Sequence, residues 1–415
     1  MIKQRTIYVG ILRHLQRKEF TIITGARQTG KTTILKQLFG HLQKEGKKVW
    51  FISFEKEDVL RKINKDPENI FQFTQRPKNP LFEKQKEPYY FLIDEVQYAA
   101  NPSNFLKYLY DTYNPHLKII ATGSSSFYLD KKFKDSLAGR KRIFILHTLS
   151  FEEFLIFNDR LHLRDELSQM RKDNHYISLH YNEIKDMFDD YLLFGGYPEV
   201  ALTDNREEKI SLLEEIKNAY IKRDIFESKV ENEQKFYELM FVLALQTSNL
   251  LNKFELSKSL KIDIKTVDKY IYVLQKCFHI TIIKPFHRNL KKELLKMPKT
   301  FFNDLGLRNI LIGNFINIYN RPDRGQLLEN YIFIRLMEMH REEEIKFWRT
   351  GDQKEVDFVV TPAMGNSFAL EVKFGSANLK TTKYNKFINT YPGIPLKFIS
   401  YMTENESDFI PAIKL

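Results

Sequence analysis

Short apolar runs alternate with amphipathic stretches through the first third of the chain. Residues 20–24, 49–54, 89–93, 118–122 and 142–146 each read as a brief strand, and the helical spacing of apolar positions in 33–44 and 104–113 predicts helices between them. Strands and helices in strict alternation predict an α/β fold, a parallel sheet with helices on both faces. From 151 to 234 the strand signal gives way to long charged helical patterns. These break at Gly195-Gly196-Tyr197-Pro198, where the glycines permit a sharp turn and the proline stops the helix. Residues 236–304 read as helices followed by a β-hairpin. The stretch 305–415 begins helical and then shows apolar strand runs at 356–360 and 368–372. The expected division is therefore 1–150, 151–235, 236–304 and 305–415, with linkers too short to separate the parts.

Composition narrows the class. Among 415 residues, 43% are hydrophobic and 28% charged, which excludes a wholly disordered chain. One cysteine, Cys277, excludes an internal disulfide framework or a cysteine-rich metal cluster. The ten histidines are scattered, with no H-x-x-x-H pair and no His/Cys cluster, so a zinc site is not expected. No apolar run reaches the length of a membrane helix, and the first twenty residues lack the apolar core of a secretory signal. A cytoplasmic protein without membrane contact is the expectation. The net charge of +12 favours an acidic partner.

Chemistry concentrates first at Gly25-Ala26-Arg27-Gln28-Thr29-Gly30-Lys31-Thr32-Thr33, a GxxxxGKT pattern between an apolar strand and a helical stretch. Such a loop turns backbone N–H groups toward phosphates at a helix N-terminus. Lys31 would reach the β- and γ-phosphates of ATP, and the Thr32 hydroxyl would ligate Mg²⁺. Arg27 would face phosphate or solvent. The run 89–95, Tyr-Tyr-Phe-Leu-Ile-Asp-Glu, is a buried strand ending in two carboxylates. Asp94 suits a water-mediated hold on Mg²⁺, and Glu95 would orient or deprotonate the attacking water.

The order GARQTGKTT, FLIDEVQ, IIATGSSS and SLAGR resembles the AAA-type P-loop ATPase domain of bacterial and archaeal proteins that end in a domain of unknown function, DUF4143; the segments 191–200 and 219–225 resemble that family too. The resemblance implies that Thr122 or Ser124 senses the γ-phosphate and that Arg140 neutralises transition-state charge, in its own subunit or in a neighbour of a homo-oligomer. It also makes 1–150 the ATPase core and 151–235 a helical lid.

Residues 254–275 read as helix–turn–helix, with Ile264, Val267, Ile271 and Leu274 as the inner face of the second helix and Lys265, Thr266 and Lys269 outside. The hairpin that follows, with a basic tip over 288–296, completes a winged-helix pattern across 236–304. Between Lys253 and Lys299 stand 12 Lys and Arg against 4 Asp and Glu, two thirds of the net charge of the chain. DNA and a protein partner are both open readings of this segment.

In 305–415, Glu371 and Lys373 are two apart and share one strand face, and Asp357 belongs to a neighbouring strand. With Glu329 on a preceding helix they resemble the PD-(D/E)XK nuclease pattern, in which the acids share a divalent metal and the lysine activates water. Domains of that kind also serve as binding modules. The sequence therefore predicts an Mg²⁺-dependent ATPase in a DNA-associated process. A signalling-type switch with protein partners and a nuclease regulated by ATP are the alternatives.

Overall fold

The computed structural model describes residues 3–74, 87–123, 137–173, 176–287, 293, 296–375, 381–401 and 409–415. Two compact units form: 1–148 with 276–278, and the remainder.

The first unit is built on a five-stranded sheet in the order β2-β3-β4-β1-β5. Its strands are β1 (Phe20–Thr24), β2 (Val49–Ser53), β3 (Tyr89–Asp94), β4 (Leu117–Gly123) and β5 (Lys141–Ile145), and every pairing is parallel. All residues of β1, β3 and β4 are buried, which explains why these strands are apolar runs with no polar alternation. The pleat sends alternate side chains into two cores. On one face Leu92 and Ile120 meet Ile34, Leu35 and Leu38 of helix Lys31–Lys44. On the other, Phe91, Ile93 and Ile119 meet Phe105, Leu106 and Leu109 of helix Pro102–Tyr113.

Each of the five strands lies within one residue of its expected bounds. The helices start two residues earlier than the apolar pattern. Gly30 at φ +94° opens the first directly at Lys31. Asn101 caps the second, its side chain accepting from Asn104 N at 3.2 Å ahead of Pro102.

The second unit holds the elements after Leu149, except for the last residue of helix Ile264–Lys276. Helix Tyr181–Phe194 ends at Gly195, φ +73°, as the Gly-Gly-Tyr-Pro pattern predicts. A Cβ at Gly195 would lie 2.4 Å from Asp304 Oδ1, so only glycine fits that approach. Asp304 uses both oxygens there, accepting from Gly196 N at 2.8 Å and from Leu307 N at 2.9 Å. Helices Lys253–Leu260 and Ile264–Lys276 precede an antiparallel hairpin of β6 (Ile280–Ile283) and β7 (Lys299–Phe302). Val267, Ile271 and Leu274 are buried as expected, but Ile264 is exposed; Tyr270 takes the inner position instead. Arg223 pairs with Glu227 at 3.2 Å on the surface, whereas Asp224 is buried and meets His279 Nε2 at 3.0 Å. A second sheet in the order β12-β11-β10-β9-β8 follows, formed by β8 (Ile345–Arg349), β9 (Glu355–Val360), β10 (Phe368–Lys373), β11 (Leu396–Ser400) and β12 (Phe409–Pro411). Helix Arg324–Met339 packs against β7 and β10. Among the described residues no helix is long and apolar enough to cross a membrane.

One buried imidazole gives the first unit an acid limit. His14, at the end of helix Ile7–His14, bonds Thr21 Oγ1 through Nδ1 at 2.8 Å. Burial, with the nearby Lys118 and Arg142 charges, pulls its pKa down to about 4. A base whose folded pKa lies below its unfolded value leaves the unfolded chain with more bound protons, so stability is lost as pH falls from about 6.5 toward 4. The expected loss is on the order of 2 kcal/mol. Urea unfolding of the wild type and His14→Leu at pH 7 and 4.5 should show a smaller acid decrement in the variant; equal decrements would contradict this assignment.

Candidate functional site

The P-loop lies at the C-terminal end of β1, where the chain leaves the sheet and enters helix Lys31–Lys44. Gly25, Gln28 and Gly30 all have positive φ (149°, 57° and 94°), so the loop curls tightly before the helix begins. At Gly25 an added Cβ would stand 2.1 Å from Leu146 O, while Gly30 has open space around it. The two glycines thus serve different ends: the first admits a neighbouring backbone, the second supplies a turn conformation. Thr29 Oγ1 donates to Ala26 O at 2.9 Å, and Arg5 Nη1 donates to Thr29 O at 2.9 Å. Arg5 also donates to His147 O at 2.9 Å and Thr148 O at 3.2 Å, fastening the loop to the segment after β5. Nothing in the sequence pattern around Arg5 signalled this role.

Lys31 is buried, and its Nζ donates to Gly25 O at 3.1 Å and Ala26 O at 2.6 Å. Thr32, one residue on, donates to Asp94 with Oδ1 and Oδ2 at 3.1 and 3.0 Å. Asp94 ends β3 and is 4% exposed. Thr122 of β4, the strand between β1 and β3, donates to Asp94 Oδ1 at 2.5 Å and accepts from Glu95 N at 2.9 Å. Glu95 takes φ +57°, turning its carboxylate out of the strand direction, and Gln97 Nε2 donates to it. The fold thus gathers Lys31, Thr32, Asp94, Glu95 and Thr122 at one edge of the sheet. Thr33 continues the helix. Ser124 lies outside the described residues.

Arg140 does not join them. It precedes β5, and its carbonyl accepts from Phe20 N, at the start of β1, at 2.8 Å. In a parallel sheet that is the edge opposite the P-loop, a strand length of roughly 15 Å away. Its guanidinium instead pairs with Asp111 through Nε at 2.6 Å and Nη2 at 3.2 Å. The expectation that Arg140 reaches phosphate within its own subunit is corrected by this register.

The C-terminal residues do converge. The antiparallel register Leu370↔Phe358 between β9 and β10 brings Asp357 beside Glu371. Asp357 Oδ2 accepts from Val372 N at 2.8 Å. Glu371 Oε1 accepts from Tyr384 OH at 2.7 Å and from Lys373. Glu329 accepts from Lys299, a residue outside the predicted constellation, at 2.9 Å. Burial and the adjoining Glu329 and Glu371 charges hold the Asp357 carboxyl well above the usual range. Burial opposes charge on Lys299 too, yet the surrounding carboxylates raise its pKa.

On the surface, His162, His180 and Glu183 place ligand atoms within 4.8 Å of one another, the one such group of three among the described residues. His180 and Glu183 are three residues apart, but the third member, His162, lies 18 residues earlier, which hid the grouping in the sequence.

A loop with left-handed turns, a buried lysine, and a threonine–aspartate pair at the C-terminal edge of a parallel sheet define a P-loop α/β domain. Residues 17–155 match the AAA domain family, 185–316 a domain of unknown function (DUF8612), and 324–414 the domain of unknown function DUF4143. The chain thus carries an AAA domain followed by a C-terminal DUF4143 domain. An uncharacterised protein of Haemophilus influenzae is 27% identical over 352 residues, covering 82% of this chain and 79% of that protein. One from Methanocaldococcus jannaschii is 26% identical over 352 residues, covering 82% and 71%. Among solved structures, the Aeropyrum pernix ORC2 protein in its ADP form aligns with 75% of this chain and 92% of its own, at 12% identity and a TM-score of 0.35. DnaA from Aquifex aeolicus bound to AMPPCP aligns with 66% and 89%, at 15% identity and 0.30. Both overall likenesses are weak, and the fold assignment rests on sheet order and loop geometry.

The two P-loop glycines should respond differently to a methyl group. Gly25→Ala forces a 2.1 Å contact with backbone and is expected to cost about 3 kcal/mol, whereas Gly30→Ala carries only backbone strain of about 1–2 kcal/mol. Denaturant unfolding of the two variants side by side checks the order; equal losses would contradict it.

Proposed function

We propose that the chain is an Mg²⁺-dependent ATPase whose nucleotide occupies the loop Gly25–Thr32, with Ala26, Arg27, Gln28 and Thr29 lining the phosphate path. The observation that carries this reading is the Thr32–Asp94 pair, at 3.0 and 3.1 Å, beside a lysine whose ammonium is turned onto loop carbonyls. These residues fit the group they would hold. Lys31 exchanges the Gly25 and Ala26 carbonyls for the β- and γ-phosphates. The Thr32 hydroxyl and the Asp94 carboxylate are the residues that would hold Mg²⁺. Held there, Mg²⁺ supplies charge neutralisation on the phosphate oxygens. Glu95, positioned by Gln97, orients and deprotonates the attacking water. Arg140 is assigned to the nucleotide of a neighbouring copy, because its own P-loop is at the other sheet edge.

The work coupled to hydrolysis is assigned to DNA through the winged-helix segment, where Lys258, Lys261 and Lys265 are exposed. A second reading, a switch that docks on proteins, is favoured by local neutralisation of the same segment. Lys253 pairs with Asp268 at 2.5 Å and Lys269 with Glu231 at 2.9 Å, while Lys299 is buried and offers nothing to a phosphate backbone.

Steady-state ATP hydrolysis with Mg²⁺ separates these readings. Glu95→Gln should lower turnover by about a hundredfold without abolishing nucleotide binding. Double-stranded DNA should raise the wild-type rate several-fold at low salt and much less at high salt, with the effect lost on neutralising Lys258, Lys261 and Lys265. Turnover indifferent to DNA would favour the protein switch, and turnover equal in the wild type and Glu95→Gln would defeat the hydrolysis reading.

A further inference from the structure

The C-terminal carboxylates surround a lysine that comes from outside their own sheet. Lys299, the first residue of β7, has a side chain only 3% exposed. Its Nζ lies 2.9 Å from Glu329 Oε1, 2.5 Å from Glu355 Oε1 and 4.0 Å from Asp357 Oδ1. One ammonium, delivered by a hairpin strand, thus faces three carboxylates contributed by helix Arg324–Met339 and strand β9.

We propose that Lys299 is the resident counter-ion of Glu329, Glu355 and Asp357, supplying with an ammonium the positive charge that a divalent cation would otherwise bring to these acids, so that the domain needs no metal and the site joins the hairpin to the sheet.

Four observations carry this. First, the distances suit an ammonium: N–H···O⁻ contacts run near 2.8 Å, whereas Mg²⁺ takes oxygens at about 2.1 Å and draws its ligands into van der Waals contact with one another. Second, no three of these carboxylates bring ligand oxygens within 4.8 Å of one another; among the described residues that closeness occurs only at His162, His180 and Glu183. Third, one oxygen of each of the two strand acids is already engaged. Asp357 Oδ2 accepts from Val372 N, and Glu371 Oε1 accepts from Tyr384 OH and Lys373. Glu371 Oε2 is buried without a partner and Asp357 Oδ1 has only Lys299 at 4.0 Å, but two oxygens fall well short of the six or more ligands a hard divalent ion takes. Fourth, the remaining charge is matched by other cations. Arg349 pairs with Glu355 at 2.5 Å, and Lys373 and Lys383 flank Glu371, the latter at 3.8 Å. The residues present therefore do not fit a two-acid metal centre, and no cleavage step is derived through one.

Removing the ammonium would leave Glu329, Glu355 and Asp357 buried against one another, a large loss because an unpaired buried charge is far costlier than a missing pair. Such a pocket would then accept a cation from solution. The test uses the full-length protein without nucleotide. Wild type should show no Mn²⁺ binding by titration calorimetry that Asp357→Asn removes, and no nicking of supercoiled plasmid with Mg²⁺ or Mn²⁺. Lys299→Met should melt at least ten degrees lower and recover several degrees in millimolar Mn²⁺, a gain that wild type does not share. Adding Glu329→Gln to Lys299→Met should restore part of the lost melting temperature, since it removes one uncompensated carboxylate. Should Lys299→Met fail to fold, the wild-type and Asp357→Asn titrations still decide. Wild-type Mn²⁺ binding or plasmid cleavage that vanishes in Asp357→Asn but persists in Thr32→Ala overturns the proposal, as does Lys299→Met melting with the wild type.

Discussion

The Asp94 carboxylate is the point around which the first unit's candidate site is assembled. It is 4% exposed, and hydrogen bonds from Thr32 and Thr122 balance the cost of burying it. Those donors sit on different elements, the helix after β1 and the strand β4, so the carboxylate aligns three segments that meet only because the sheet runs β3-β4-β1. Since the sheet is parallel, every strand delivers its last residue to the same edge. The loop at Gly25, the acids at Asp94 and Glu95 and the hydroxyl of Thr122 follow from that one topological fact. Arg140, carried at the start of a strand, is excluded from the cluster by the same fact.

The second unit is organised by buried polar joints. Asp304 links the turn at Gly195-Gly196 to the start of the helix that follows β7. Asn309, from that helix, donates to Leu192 O at 3.0 Å and Leu193 O at 2.8 Å. Lys299 ties β7 to the helix and strands that follow. Each joint is a side chain satisfying groups from a different stretch of chain. A unit held this way loses much when one partner is removed, because the others remain buried and unpaired.

Much of the first unit was legible in the sequence because its signals are local. A strand buried on both faces must be an apolar run, and a Gly-rich loop ahead of a helix carries its chemistry in adjacent residues. That is why β1 through β5 fall within one residue of their expected bounds and why Lys31, Thr32, Asp94 and Glu95 stand together as anticipated. The rest depends on long-range pairing. Arg5 reaches Thr29, His147 and Thr148, and no periodicity announces it. Asp111 captures Arg140 from a helix whose charge pattern looks like any solvated face. Lys299 counted as one more cation in a basic segment until the hairpin register turned it inward against Glu329 and Glu355. Ile264 fits the apolar spacing of its helix but begins it, where the preceding turn leaves it exposed. In the C-terminal sheet, spacing identified Asp357 and Glu371 as neighbours but could not indicate which cation they would meet.

The central claim is that Thr32 and Asp94 hold a metal that fixes the nucleotide on Lys31. Calorimetric titration of ATP into the full-length protein, with Mg²⁺ and with EDTA, tests it most directly, using Asp94→Asn as the comparison. The account predicts that ATP binds at least tenfold more tightly with Mg²⁺ in the wild type and that Asp94→Asn loses this metal-dependent gain while keeping the weaker, metal-free binding. ATP affinity that is the same with and without Mg²⁺, or a gain that survives in Asp94→Asn, would contradict it.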